Sequence, residues 1–159
     1  VYDQLIIYLP TLCMSYPERI VLATDHGGYK LKEHLKKYLI SKGVDVIDVG
    51  TFSEESIDYP AIIRKGCSAV LEQECFGIVL GGSGNGEAMA ANKVKGIRCA
   101  LCYSKETAEL ARSHNNANVM SLGGRLTKPK LAEKLIDIFL ETEFEGGRHE
   151  RRVNDLEHK

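Results

Sequence analysis

From Arg19 onward, short apolar runs alternate with longer amphipathic ones, and this alternation constrains the fold more than any other feature. Runs rich in branched apolar residues predict strands at Arg19–Thr24, Val44–Val49, Phe76–Leu80, Ile97–Tyr103 and Val119–Leu122. Between them the apolar residues recur at helical spacing, as Leu31, Leu35, Tyr38 and Leu39 do with lysines interposed. Helices are therefore predicted over Tyr29–Lys42, from Asp58-Tyr59-Pro60 onward, over Glu87–Val94, and from a Ser104 cap to about Ser113. A fifth helix starts from a Thr127 cap and runs to about Glu141, and the charged end Glu145–Lys159 reads as a sixth. Strands that are continuous apolar runs and alternate with helices belong to a parallel sheet covered on both faces. Right-handed crossovers then give a three-layer, doubly wound, Rossmann-like α/β sandwich with a five-stranded parallel sheet.

Ligands in such a fold bind beyond the carboxyl ends of the strands. The polar, glycine-rich segments of this chain fall there: Asp25-His26, Gly81–Glu87 (GGSGNGE) and Gly123-Gly124-Arg125. The second is the most informative. Successive backbone N–H groups followed by a helix start form an anion site. It is not a P-loop, which needs Lys-Ser or Lys-Thr after the glycines. Nor is it a dinucleotide fingerprint, because Glu87 stands where the third glycine belongs. Glu87 is either an ordinary first-turn carboxylate or a base that takes a proton from carbon next to a carbonyl, with the loop N–H groups holding the developing oxyanion. Asp25-His26 reads equally well as a local turn or as a hydroxyl acceptor beside a donating imidazole. His114-Asn115-Asn116 ends a helix, and His114 is expected either as a dipole partner there or as an acid–base residue near the same sheet edge. Arg148 and Arg152 are four apart, share a helical face and could clamp a phosphate, whereas Arg151 points elsewhere.

The remaining composition narrows the function classes. At 159 residues the chain has the size of one domain. A formal net charge of −1, from 21 basic and 22 acidic residues, argues against a general nucleic-acid or membrane-surface binder. No apolar run reaches the ~20 residues that span a bilayer. Cys13, Cys67, Cys75, Cys99 and Cys102 mostly sit in apolar runs without a disulfide framework, which suits reduced thiols in the cytoplasm. Cys99 and Cys102 fall three apart in a strand and so face opposite sides of the sheet. No His, Cys and Asp cluster has metal-ligand spacing. Val1–Cys13 reads as an extension, non-native in origin, ahead of a natural start at Met14; the alternative is an added strand or an arm onto a partner subunit. Residues 14–159 read as one domain with a C-terminal helix.

Taken in order, Ala23-Thr24-Asp25-His26-Gly27-Gly28, Asp48-Val49-Gly50-Thr51, Asp58-Tyr59-Pro60, Gly81–Glu87, Ala90–Val94, Gly96-Ile97-Arg98, His114-Asn115-Asn116, Gly123-Gly124-Arg125 and Gly146–His149 resemble the ribose-5-phosphate isomerase B family, whose relatives include the galactose-6-phosphate isomerase subunits. The resemblance runs from about Arg19 to Val153. It implies a cofactor-free and metal-free aldose–ketose isomerase of the pentose phosphate pathway, converting ribose 5-phosphate and ribulose 5-phosphate through a cis-enediolate. Carried over by position, Glu87 is the base; the branch that uses a cysteine instead has it where this chain has Gly81. Gly82, Ser83, Gly84, Asn85 and Gly86 match the anion hole, with Ser83 also assisting at a sugar oxygen. His114 matches the ring-opening residue, with Asp25 as its partner and Asn115 contacting substrate. His26, Arg125, Arg148 and Arg152 match the phosphate-binding set. The family precedent also implies a homodimer or homotetramer with sites shared between subunits, so that His114 and some arginines serve the neighbour's site.

Two rivals stand beside this reading. One is an isomerase of a six-carbon phosphate such as allose or galactose 6-phosphate; the galactose enzymes use two different subunits. The other is a non-catalytic sugar-phosphate-binding module, which would need Arg125 and Arg148 but has no use for Glu87 or His114.

Overall fold

A computed structural model describes residues 15–157. The chain runs β1 (Arg19–Thr24), α1 (Tyr29–Ser41), β2 (Asp45–Asp48), α2 (Tyr59–Glu72), β3 (Phe76–Gly81) and α3 (Asn85–Asn92). It continues through β4 (Cys99–Leu101), α4 (Lys105–Ser113), β5 (Val119–Gly123), α5 (Pro129–Glu141) and α6 (Arg148–Leu156). The five strands form one parallel sheet in the order β2-β1-β3-β5-β4. This is the expected three-layer sandwich. The extension expected at Val1–Cys13 lies outside the described residues.

Each sheet face has its own core. On one, Leu31, Leu35 and Leu39 of α1 pack with Ala108 and Ala111 of α4 and Ala132, Leu135, Ile136 and Phe139 of α5. On the other, Ile63, Cys67 and Val70 of α2 pack with Ala91 of α3 against Val21, Ala23 and Val79. The central strands β1, β3 and β5 are buried almost throughout, which is why their sequences do not alternate. Cys102 packs in the first core and Cys99 against the second, so the pair faces opposite sides as expected.

Local signals set most of the boundaries. Gly43 takes φ +82° and stops α1. Ser104 caps α4 in a reciprocal box with Thr107. Thr127 does not cap α5: the cap position is Lys128, because Pro129 supplies the pre-set first helical residue. The helix after the glycine loop begins at Asn85, two residues before the expected Glu87. The last helix begins at Arg148 rather than Glu145, after Gly146 and Gly147 at positive φ. The fourth strand is only Cys99–Leu101, shorter at both ends than the predicted Ile97–Tyr103, because it is an edge strand that pairs on one side.

One lysine of α1 does not face solvent. Lys32 is completely buried, and its Nζ lies 2.8 Å from both carboxylate oxygens of Asp48. Lys36 donates to Asp48 as well, at 2.8 Å, and so does the Gly50 backbone N–H, at 3.0 Å. Burial would raise the Asp48 pKa, but these hydrogen bonds outweigh it and hold the carboxyl below its ordinary value. The arrangement pins the Asp48–Thr51 segment beside β1, where Thr24 N–H donates to Gly50 and Thr51 N–H donates to Thr24. Removing Lys32 takes the buried one of the two ammonium partners from Asp48 and leaves only Lys36 and the Gly50 N–H to hold its carboxylate. Lys32→Ala is expected to lose about 3 kcal/mol of unfolding free energy in urea titration at neutral pH. Because the Asp48 pKa is depressed, this contribution is present above the ordinary carboxylate range and fades as pH falls through the folded value.

Candidate active site

The strand order reverses direction between β1 and β3. The chain leaves β1 for α1 on one face of the sheet and leaves β3 for α3 on the other, so a crevice opens at their carboxyl ends. Three turns meet there. Gly124 N–H donates to the Gly81 carbonyl at 2.7 Å, and Arg125 N–H to the Gly82 carbonyl at 3.1 Å. The Thr24 hydroxyl lies 2.9 Å from the carbonyl oxygens of Leu80 and Asp25, tying β1 to β3. Backbones approach so closely that a Cβ on Gly27 would sit 2.7 Å from the Gly82 nitrogen.

The loop between β3 and α3 takes its shape from Gly84, whose φ of +81° places it just before the helix. The Ser121 hydroxyl donates to the Gly84 carbonyl at 2.7 Å and anchors the turn to β5. The Ser83 hydroxyl accepts from the backbone and side-chain nitrogens of Asn85, at 3.3 and 3.1 Å. Glu87, in the first turn of α3, is buried, with 4% of its surface exposed. Its carboxyl folds back against the Gly81 α-carbon and fills the volume that any residue-81 side chain would need. Burial raises its pKa above the ordinary glutamate value. The neighbouring Asp25 carboxyl adds to the rise, against a lowering from the residue's own backbone N–H.

Asp25 is buried beside it, and its Oδ1 accepts from Gly27 N–H at 2.8 Å. His26 Nδ1 accepts from Ile57 N–H at 3.3 Å, which leaves the proton of the neutral ring on Nε2. The Arg125 guanidinium lies along Gly82, with Nη1 3.4 Å from the position of an added Cβ. Thus Asp25, His26, Gly82, Ser83, Gly84, Asn85, Gly86, Glu87 and Arg125 come together at one edge. The structure adds Tyr59, which the sequence reading left without a role. Its hydroxyl is 2.8 Å from where a Gly86 Cβ would stand, so the phenol overhangs the loop. The signal was present in Asp58-Tyr59-Pro60, a polar helix start at the carboxyl edge.

His114, Asn115, Arg148 and Arg152 are elsewhere, which corrects the expectation that His114 lies near the same edge. His114 ends α4, and the chain then enters β5 from below: Asn118 accepts from Gly77 N–H at the start of β3. The length of β5, roughly 15 Å, separates the two groups within one chain. The His114-Asn115-Asn116 turn is clamped by arginines: Arg98 donates to the Asn116 carbonyl and Arg112 to the Asn116 side chain. The Arg112 guanidinium is itself set against the rings of Phe76 and Phe139.

Folding also gathers His114, Glu145 and His149, whose ligand atoms all lie within 4.8 Å of one another. Linear spacing gave no hint of this cluster. The two imidazoles stack with centroids 4.1 Å apart and planes 13° from parallel. In-plane lone pairs of stacked rings do not converge, so this set fits a tetrahedral metal poorly as it stands. No helix among the described residues is long and apolar enough to cross a membrane.

A buried carboxylate beside a glycine-rich loop, with His26 and Arg125 at the same strand ends, is an arrangement suited to proton transfer, and comparison with known proteins identifies the family. The profile of the family described as Ribose/Galactose Isomerase matches residues 20–156. The chain belongs to that family and is an isomerase. It is 47% identical over 141 residues to the ribose-5-phosphate isomerase B of Mycobacterium leprae, covering 87% of each chain. The corresponding protein of Mycolicibacterium paratuberculosis is 45% identical over 141 residues, covering 87% of this chain and 89% of its own. The crystal structure of a ribose 5-phosphate isomerase from Thermotoga maritima superposes with a TM-score of 0.85 at 50% identity, over 87% of this chain and 97% of the other.

The packing of Glu87 on Gly81 yields a direct expectation. In Gly81→Ala the added methyl displaces the carboxyl, so isomerase turnover should fall at least about 100-fold. Circular dichroism of the same variant should keep the wild-type helix and strand signal.

Proposed function

We propose that this chain interconverts ribose 5-phosphate and ribulose 5-phosphate through a cis-enediolate, with Glu87 as the base and no metal. The observation that carries the reading is the buried Glu87 carboxyl, folded against the Gly81 α-carbon where the Gly82–Gly86 loop begins. The relatives bearing the name ribose-5-phosphate isomerase B support the choice of substrate.

In the proposed reaction, the furanose opens first. His114 gives a proton to the ring oxygen as the bond from C1 to that oxygen breaks, and Asp25 takes the anomeric hydroxyl proton. Glu87 then takes the C2 proton, the electron pair forms the C1–C2 double bond, and negative charge moves to O1. The loop N–H groups and the Ser83 hydroxyl stabilise that charge. Glu87 returns the proton to C1, while the O2 proton passes to O1 as the C2 carbonyl forms. His26 and Arg125 hold the phosphate from one side, Arg148 and Arg152 from the other, and Asn115 contacts the sugar.

One chain cannot bring His114 to its own Glu87 across the sheet, so the proposed enzyme is at least a homodimer with each site built from two subunits. The carboxyl edge supports this: Phe52, Tyr103 and Leu126 are exposed there at 66%, 69% and 74%. A shallow cleft of about 240 Å³ runs between Ser83, Asn85, Tyr103 and Leu126.

The test is turnover of ribose 5-phosphate in the presence of a chelator. Glu87→Gln should lose about three or more orders of magnitude in kcat. Since the Glu87 pKa is raised and the base must be ionised, wild-type kcat should rise with pH through a limb above the ordinary glutamate value of about 4.3. Full activity in Glu87→Gln would refute the reading.

A further inference from the structure

The proposed chemistry assigns a task to His114 and none to the imidazole stacked on it. His149 is the second residue of α6, with its ring buried; the residue is 7% exposed. The His114 side chain keeps 36% exposure. Two imidazolium rings face to face at 4.1 Å repel, so the stack disfavours charge on both rings at once.

Three contacts give the two rings different surroundings. Arg148 Nε–H points at His149 Nε2 from 3.5 Å, and a ring that accepts there carries its hydrogen on Nδ1. Arg152, one turn along α6, adds a second positive charge. Glu145 Oε2 lies 3.6 Å from His149 Nε2 and 3.8 Å from His114 Nε2. With His149 Nε2 turned to Arg148, the carboxylate is left to His114. Loss of water contact, then the fields of His114 and Arg148, push the His149 pKa below the ordinary histidine value, with Glu145 opposing.

We propose that His149 is a positioning residue for His114: it stacks on the His114 imidazole, is itself held by Arg148, and so orients His114 with the Glu145 carboxylate beside it. This rests on the reading that His114 opens the sugar ring. It assigns to Gly146-Gly147, which deliver His149 to the end of α4, a part in the chemistry and not only in phosphate binding.

The test separates ring opening from enolisation. Ribulose 5-phosphate is acyclic, because the oxygen that would close its ring carries the phosphate. Exchange of its C1 hydrogen with solvent deuterium therefore reports enolisation without ring opening. His149→Ala is expected to lower kcat on ribose 5-phosphate about tenfold or more, with KM within about twofold and deuterium exchange at the wild-type rate. His149→Phe, which stacks but cannot titrate, should restore most of kcat. The inference is overturned if exchange and turnover fall together in His149→Ala, which marks a structural role. It is overturned if KM rises while kcat holds, which marks a phosphate ligand. It is also overturned if His149→Phe is no better than His149→Ala, which means the ring's own proton is used. His114→Asn is run beside them: if it keeps turnover of ribose 5-phosphate, the ring-opening reading itself fails and takes this inference with it.

Discussion

The close backbone packing of β1, β3 and β5 at their carboxyl ends is the constraint on which the rest of the site depends. Three turns, each containing a pair of glycines, meet without intervening side chains, and hydrogen bonds from Gly124 to Gly81 and from Arg125 to Gly82 lock two of them. That contact sets the Gly82–Gly86 loop over the start of α3, lays Arg125 along it and brings Asp25 alongside. It also leaves empty the one volume into which Glu87 can fold. The carboxyl is thereby removed from water by its own scaffold, and its basicity rises because of where it is packed. The proposed base and the strand-end geometry are one feature of the sequence, GGSGNGE.

A second constraint comes from the direction of the chain. In a parallel sheet every helix returns to the amino edge, so a residue between a helix end and the next strand start must lie there. His114 is such a residue. Placing it with Glu87 within one chain conflicts with the predicted alternation of strands and helices. On the proposed reading each chain therefore carries two half-sites, one with carboxylates and glycines at the top of the sheet, one with histidines and arginines at the bottom. The exposed aromatic and aliphatic residues around the upper half are consistent with its being covered.

Much of this was legible in the sequence because it is local. Apolar runs gave the five strands, helical spacing gave Leu31, Leu35 and Leu39, and Ser104 gave the start of α4. Lys32 was not legible: it sits among the lysines of an amphipathic helix, and its partner Asp48 is sixteen residues on, in another element. Nor was the gathering of His114, Glu145 and His149, since it depends on how α6 docks against the end of α4. Pro129 displaced Thr127 from a capping position because its fixed φ outweighed a hydroxyl one residue too early. Misses of this kind share a cause, which is that docking between elements decides them.

The central claim is that one working site takes Glu87 from one subunit and His114 from another. It is tested most directly by mixing two inactive variants, Glu87→Gln and His114→Asn, under conditions that let subunits exchange. Shared sites predict that the mixture recovers about a quarter of wild-type activity, because half the dimers are mixed and each mixed dimer holds one intact site of two. A mixture as inactive as its components, with exchange of subunits verified, would contradict the account and place both residues at the same chain's site.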